Sequence, residues 1–324
     1  MIRTVALVIL LVLAGLTTWV RSPAVKANLS QSLSLTPLDI GAGDIGEATL
    51  ESAWHLDSPN SLFGSYSSLL AMPDDQFLSA SDSGGLLRFP IPGADGTVEI
   101  GRFAGRTAYK KKLIDIESLT RDPQTGRIWV GYEGTNTIER LESDLTGSTR
   151  VQPDAMAGWA SNSGPESMVR LSDGRFIVIA EGRESYLGSV HQAILFDGDP
   201  LEGAIAQSFR FEPPKGYRPV DMAQLPDGRV VILARKLVPG LPPSFNTKLV
   251  VADPSQIASG GNWSGREMAA ISDPDLEDNY EGLAIIPRKD GTVDLWLISD
   301  DNGTTFQRTL LVKLHWDPAT QDAQ

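Results

Sequence analysis

The amino-acid sequence predicts an all-β protein: a β-propeller of five four-stranded blades, its ring closed by an N-terminal strand. Three observations carry this. One phrase, a short strand, a Pro/Asp/Gly turn and a strongly apolar strand ending in polar residues, recurs five times at blade-like spacing. The chain is rich in turn formers, with 31 Gly and 21 Pro among 324 residues. No segment of the mature chain shows a convincing helical period of apolar residues.

The first residues stand apart from that pattern. Arg3 precedes an apolar run from Val5 to Leu16, and Val25-Lys26-Ala27 offers a cleavage point after Ala27. This is the pattern of a secretory signal peptide over residues 1–27, with an uncleaved membrane anchor as the alternative. The expectation is a secreted or periplasmic protein with no membrane association once the leader is removed. Residues 28–48 read as a linker, 49–318 as one propeller domain, and 319–324 as a tail. The domain is expected to be a monomer.

The five phrases are anchored at Ser67, Glu117, Glu166, Val220 and Glu281, with offsets of 50, 49, 54 and 61. Their turns are Pro73-Asp74-Asp75, Asp122-Pro123, Asp173-Gly174-Arg175, Asp227-Gly228-Arg229 and Asp290-Gly291. Each is followed by β-type runs such as Thr137–Leu141, Ala193–Phe196 and Lys248–Ala252. The last unit ends at its third strand, Leu310–Trp316, and Thr49–Leu56 supplies the fourth. This pairing of the two chain ends closes the ring and leaves no long open edge. A sixth, degenerate blade would need strands the sequence does not show.

The repeat gathers acids. Counting out from each turn sets Glu117 against Tyr132-Glu133, Glu166 against Glu181, Glu281 against Ser299-Asp300 and Ser67 against Asp82. The fourth unit carries Arg218-Pro219 against Arg235, with Asp221 further inward. These ends fall on one face, around one funnel. Carboxylates at that density need a cation or an arginine among them to remain ionised. Oxygen donors suit Ca²⁺, so Glu117, Glu166, Glu281 and Asp300 are candidate metal ligands. Glu181 is the candidate acceptor of the attacking water's proton, Glu166 a catalytic candidate at the centre of the metal group, and Arg218 and Arg235 a candidate anion clamp. The alternative is a set of turn caps and ion-pair partners for Arg183, Arg218 and Arg235.

The phrases Asp115-Ile116-Glu117-Ser118-Leu119, Gly164-Pro165-Glu166-Ser167-Met168, Tyr217–Met222, Asn279-Tyr280-Glu281-Gly282-Leu283 and Ser299-Asp300-Asp301-Asn302 are similar to those of the phytase-like propeller family known as the "esterase-like activity of phytase" domain. The resemblance runs from about Leu56 to Trp316. It implies an extracytoplasmic propeller that hydrolyses phosphoesters or other esters with bound metal, acting on a small anionic ester. The DADDPA motif associated with β-propeller phytases is absent. Two other functions fit a propeller: a lactonase-type enzyme, and a non-catalytic ligand-binding or scaffolding module with structural calcium.

Composition removes other classes. Without cysteine there is no disulfide scaffold, thiolate zinc site or cysteine nucleophile. Against 28 Lys+Arg stand 41 Asp+Glu, a formal charge of −13. That argues against nucleic acid, whose binding rests on neutralised phosphates. Gly41-Ala42-Gly43-Asp44-Ile45-Gly46 matches G-x-G-x-x-G, but Asp44 would repel a pyrophosphate and no helix follows. The three histidines, His55, His191 and His315, lack a neighbouring nucleophile motif and read as packing residues.

Overall fold

A computed structural model describes residues 2–19, 28–105, 113–160, 163–183 and 188–319. The proposed cleavage point at 25–27 lies outside the described residues. The N-terminal apolar segment forms α1 (Ile2–Trp19), and Val5 and Leu7–Leu13 keep their apolar side chains exposed.

Two short strands, β1 (Ser34–Pro37) and β2 (Gly43–Ile45), pair in turn along the outer edge of β3 (Ala48–Asp57). The approach segment 28–48 therefore joins the sheet. Blade I comprises β4 (Leu70–Met72), β5 (Gln76–Ala80), β6 (Gly85–Pro90) and β7 (Glu99–Arg102). Blade II comprises β8 (Ile116–Arg121), β9 (Ile128–Tyr132), β10 (Thr137–Leu141) and β11 (Thr149–Val151). Blade III follows as β12 (Pro165–Arg170), β13 (Phe176–Arg183), β14 (His191–Phe196) and β15 (Ala206–Glu212). Blade IV contains β16 (Arg218–Gln224), β17 (Val230–Val238) and β18 (Ser244–Ala252). Its chain then leaves to add β19 (Asn262–Ser264) in parallel to β15 of blade III, and returns as β20 (Arg266–Ile271). Trp263 drives that excursion, fully buried against Phe209 and Phe211.

Blade V holds β21 (Tyr280–Pro287), β22 (Val293–Ser299) and β23 (Thr309–Trp316). β3 completes it, antiparallel to β23 from Thr309↔Leu56 to His315↔Thr49. The expected closure of the ring by the two chain ends is thus observed. Leu50, Ala53 and Leu56 are buried along this seam. Each buried leucine contributes about 1.5–3 kcal/mol. Trp54 stacks on Trp296 with centroids 5.7 Å apart. On the outer side, Glu51 joins Lys313 (2.7 Å) and Arg288 (3.0 Å).

Apolar clusters fill the spaces between neighbouring blades. One joins Leu78, Ala80 and Leu86 of blade I to Ile116, Leu119 and Val130 of blade II. Another joins Val169, Ile177 and Ile179 of blade III to Met222, Ile232 and Val250 of blade IV. Sheets packed face to face in this way leave their innermost strands, β4, β8, β12, β16 and β21, around one central channel.

Candidate functional site

The innermost strands share one irregularity, and it places the acids. In blade II, Ile116 pairs with Tyr132 and Ser118 with Gly131, leaving Glu117 as an extra residue. Blade III does the same at Glu166, between Pro165↔Ala180 and Ser167↔Ile179. Blade IV does so at Val220 and blade V at Glu281. Ser67, one residue after the Tyr66–Ser81 bridge, stands at the matching place in blade I. A β-bulge re-aims the side chain it carries. The predicted pairing of Glu166 with Glu181 is displaced by two residues: Glu181 donates its N–H to Gly164 instead (3.2 Å). Directly after each second-strand partner come Asp82, Glu133, Glu181, Arg235 and Asp300, five equivalent positions on the same face.

Arg235 is the arginine of this ring and the hub of its charges. Its Nη1 lies 2.6 Å from Glu281 Oε1 and 2.5 Å from Asn279 Oδ1. Its Nη2 lies 3.7 Å from Glu166 Oε1 and 3.8 Å from Glu181 Oε1. These carboxylates, with Asp300, raise the affinity of Arg235 for its proton despite burial. Arg218 is more exposed and donates from Nη1 to Glu181 Oε1 at 2.7 Å. A cavity of about 340 Å³ opens here, lined by Glu181, Arg218, Arg235, Lys236 and Phe245.

The far side of the ring has a different composition. Asp115, Glu117 and Glu133 bring carboxylate oxygens within 4.8 Å of one another, and so do Glu133, Glu166 and Glu181. Glu133 belongs to both groups. Gly164 makes this approach possible, because a Cβ there would stand 2.4 Å from Glu133 Cα. Burial and the neighbouring charges of Glu166, Glu281, Asp115 and Glu133 push the Glu117 carboxyl well above the usual range. Glu166 is raised by burial and by Glu181, with Arg235 pulling the other way. Burial raises Glu281 against the pull of Arg235. Asp300 is raised by burial and Glu281. Carboxylates that repel one another in this way suit a hard, oxygen-seeking cation.

The sequence-predicted residues all line the one face, but in two groups. Glu166, Glu181, Glu281 and Asp300 surround Arg235, whereas Glu117 sits with Asp115 and Glu133. Among the described residues, Glu117, Glu166, Glu281 and Asp300 do not converge on one point at ligand spacing. The sequence set Glu133 opposite Glu117 but named neither it nor Asp115 as a metal ligand. Their signals were present: Asp115 lies two residues before Glu117 on one strand face, and Glu133 is the blade II counterpart of Glu181.

His191 and His315, read from the sequence as packing residues, fall outside the mouth. His191 is buried, with Nδ1 3.1 Å from the Ala180 carbonyl. His315 lies 3.6 Å from Asp294 on the outside of blade V. Trp159 is buried, and its carbonyl accepts a hydrogen bond from Asn136. Within the channel, Asp221 is fully buried at the waist. Its carboxyl accepts the N–H groups of Leu283 (2.7 Å), Met222 (2.8 Å) and Leu69, tying blade IV to blades V and I.

A search of curated proteins returns no match. Solved structures with a similar arrangement include a nidogen/laminin complex, at 9% identity over 89% of this chain and 94% of the other, TM-score 0.44. A luciferin-regenerating enzyme matches at 12% identity, 87% and 95% coverage and TM-score 0.45. An exo-1,5-α-L-arabinanase from a bovine ruminal metagenomic library matches at 11% identity, 76% and 91% coverage and TM-score 0.44. The family model described as "Phytase-like: Esterase-like activity of phytase" matches residues 61–303, well over half of the chain. With five blades, the repeated Glu-bearing bulges and that match in place, the chain belongs to the phytase-like, esterase-like-activity-of-phytase family.

Proposed function

We propose that the protein is an extracytoplasmic hydrolase of small anionic esters, phosphoesters foremost, working with a divalent cation of the calcium type. The observation that carries this reading is the double membership of Glu181. It closes a carboxylate group with Glu133 and Glu166, and it also walls the cavity beside Arg218. An ester whose anionic end rests on Arg218 therefore has its reacting bond next to the acidic cluster. Asp115, Glu117 and Glu133 are the residues that would hold the cation. When bound, it would supply a polarised phosphoryl or carbonyl oxygen and a more acidic water.

The chain's own groups divide the remaining work. Arg218 keeps part of its guanidinium exposed and orients the anion. Arg235, already held by Glu281, Glu166 and Glu181, neutralises the wall rather than the substrate. Glu181 takes the proton of the attacking water as the new oxygen bond forms. Glu166, held protonated above the ordinary range, hands its proton to the leaving oxygen as the ester bond breaks. The exposed apolar face of α1 supports a leader or anchor outside the fold, and hence a secreted or periplasmic location.

A non-catalytic binding propeller with a structural cation is the second reading. It is favoured by the engagement of Arg235, which leaves one arginine rather than two for an anion. Assays of a generic phosphomonoester and a generic carboxyl ester, with Ca²⁺ and with EDTA, separate the two. Calcium-dependent turnover lost in Glu166→Gln and Arg218→Ala supports the hydrolase. No turnover of either ester, with calcium raising only the melting temperature, establishes the binding module instead.

A further inference from the structure

The end of the channel opposite the acids is a different surface. β8 runs from the Glu117 bulge to Arg121, about 13 Å at about 3.3 Å per residue, so Arg121 stands on the far face. There the innermost strands of all five blades enclose a cavity of about 230 Å³, with Leu69, Leu119, Val169, Met222 and Leu283 in its walls. A second cavity, of about 390 Å³, lies between blades I and II and is lined by Arg88 as well as Arg121. Arg121 lines both, so the apolar space and the basic space meet at this residue.

Among the described residues neither Arg88 nor Arg121 makes a hydrogen bond or ion pair through its guanidinium, and Arg88 Nε is buried without an acceptor. Asp122, next to Arg121 in sequence, acts on it through charge alone and spends its hydrogen bonds elsewhere. It accepts from Gln124 N (3.0 Å) and Thr125 Oγ1 (2.8 Å) and lies 3.5 Å from Arg170. Buried guanidinium N–H groups without acceptors are uncommon, and each calls for a ligand or water. The acids that do reach the second cavity, Asp74 and Glu99, are exposed. They oppose a multiply charged anion more than a singly charged one.

We propose that this face binds a small amphipathic monocarboxylate, its carboxylate between Arg88 and Arg121 and its apolar body in the central cavity. A planar carboxylate matches the guanidinium fork, and the aliphatic walls favour burial of a short hydrocarbon chain. The site is separated from the acidic mouth by the channel waist at Asp221, and it does not depend on the hydrolase reading.

Calorimetric titration of the full chain with hexanoate tests it. The expected result is saturable one-to-one binding, weakened at least tenfold in Arg121→Gln and in Arg88→Gln, with acetate at least tenfold weaker than hexanoate. Ala71→Trp, which fills the central cavity from its wall, should weaken hexanoate while leaving acetate unchanged. Circular dichroism establishes that each variant is folded. Absence of saturable binding, or equal binding by wild type and folded Arg121→Gln, overturns the proposal. Displacement of hexanoate by equimolar inorganic phosphate overturns the assignment to a monocarboxylate.

Discussion

Arg235 Nη1 lies 2.6 Å from Glu281 Oε1, joining the fourth blade to the fifth across the rim of the channel. The same guanidinium faces Glu166 and Glu181 of the third blade. Its removal leaves three carboxylates crowded without their cation. Breaking a buried pair by deleting one partner costs about 3–5 kcal/mol. Arg235→Gln should therefore lose about 3 kcal/mol at pH 7.5 in urea unfolding. The loss should shrink at pH 5, where the carboxyls take up protons. An equal loss at both pH values would show that Arg235 does not serve the acids.

Stability should depend on pH with a definite sign. Glu117, Glu166, Glu281 and Asp300 all have folded-state pKa values above their ordinary ones. Such groups contribute stability in full below the unfolded pKa of about 4 and lose it as pH rises through the folded value. Asp278, raised to about 6 by burial, completes its share near that pH. For Asp122 and Glu51 burial is the largest single influence and raises the carboxyl, but their hydrogen-bond and cationic partners together outweigh it and lower both, so they act oppositely, below about pH 4. In EDTA the melting temperature should peak near pH 5 and fall by pH 8. A flat profile across that window would contradict the protonation pattern.

Calcium should reverse the loss at neutral pH. At a free concentration one hundred times Kd, binding to the native state alone adds about 2.7 kcal/mol. For a domain of this size that corresponds to a rise of roughly 5–10 °C. Glu117→Gln and Glu133→Gln should abolish the rise, and Glu117→Gln should increase stability in EDTA by removing repulsion. Differential scanning fluorimetry with and without EDTA reads both effects.

Asp221 tests the waist of the channel. Asp221→Ala leaves the N–H groups of Leu69, Met222 and Leu283 without acceptors, and each such group costs about 1–3 kcal/mol. A total loss of about 3 kcal/mol or more is expected in urea unfolding. Asp221→Asn keeps an acceptor oxygen and should lose about 1 kcal/mol. Equal losses in the two variants would mean that shape, rather than hydrogen bonding, sets the role of this residue.

Much of this architecture was legible in the sequence because it is locally encoded. Each Pro/Asp/Gly turn and each apolar second strand marks a hairpin on its own, and the unpaired third strand at Leu310–Trp316 calls for Thr49–Leu56. The register at Glu166 was less accessible, since a bulge adds a residue that a two-residue period does not announce. The grouping of Asp115, Glu117 and Glu133 with Glu166 depends on how closely blades II and III approach at Gly164. The contact of Arg235 with Glu281 likewise arises only once the blades are ranged around the axis. β19 had no sequence signal beyond Trp263, because three residues are too few to show a period.

The bulge that carries Glu117, Glu166 and Glu281 also carries Ser67 and Val220, so its backbone form is indifferent to the letter written on it. The channel mouth is in that sense a five-character word spelled on a fixed frame. Val220 is packed into the apolar cluster between blades IV and V and Ser67 is held by the Ile116 carbonyl (2.6 Å), so the letters free to change the charge offered to a ligand are the three acids. Selectivity can thus drift across a lineage while the ring that displays it stays the same.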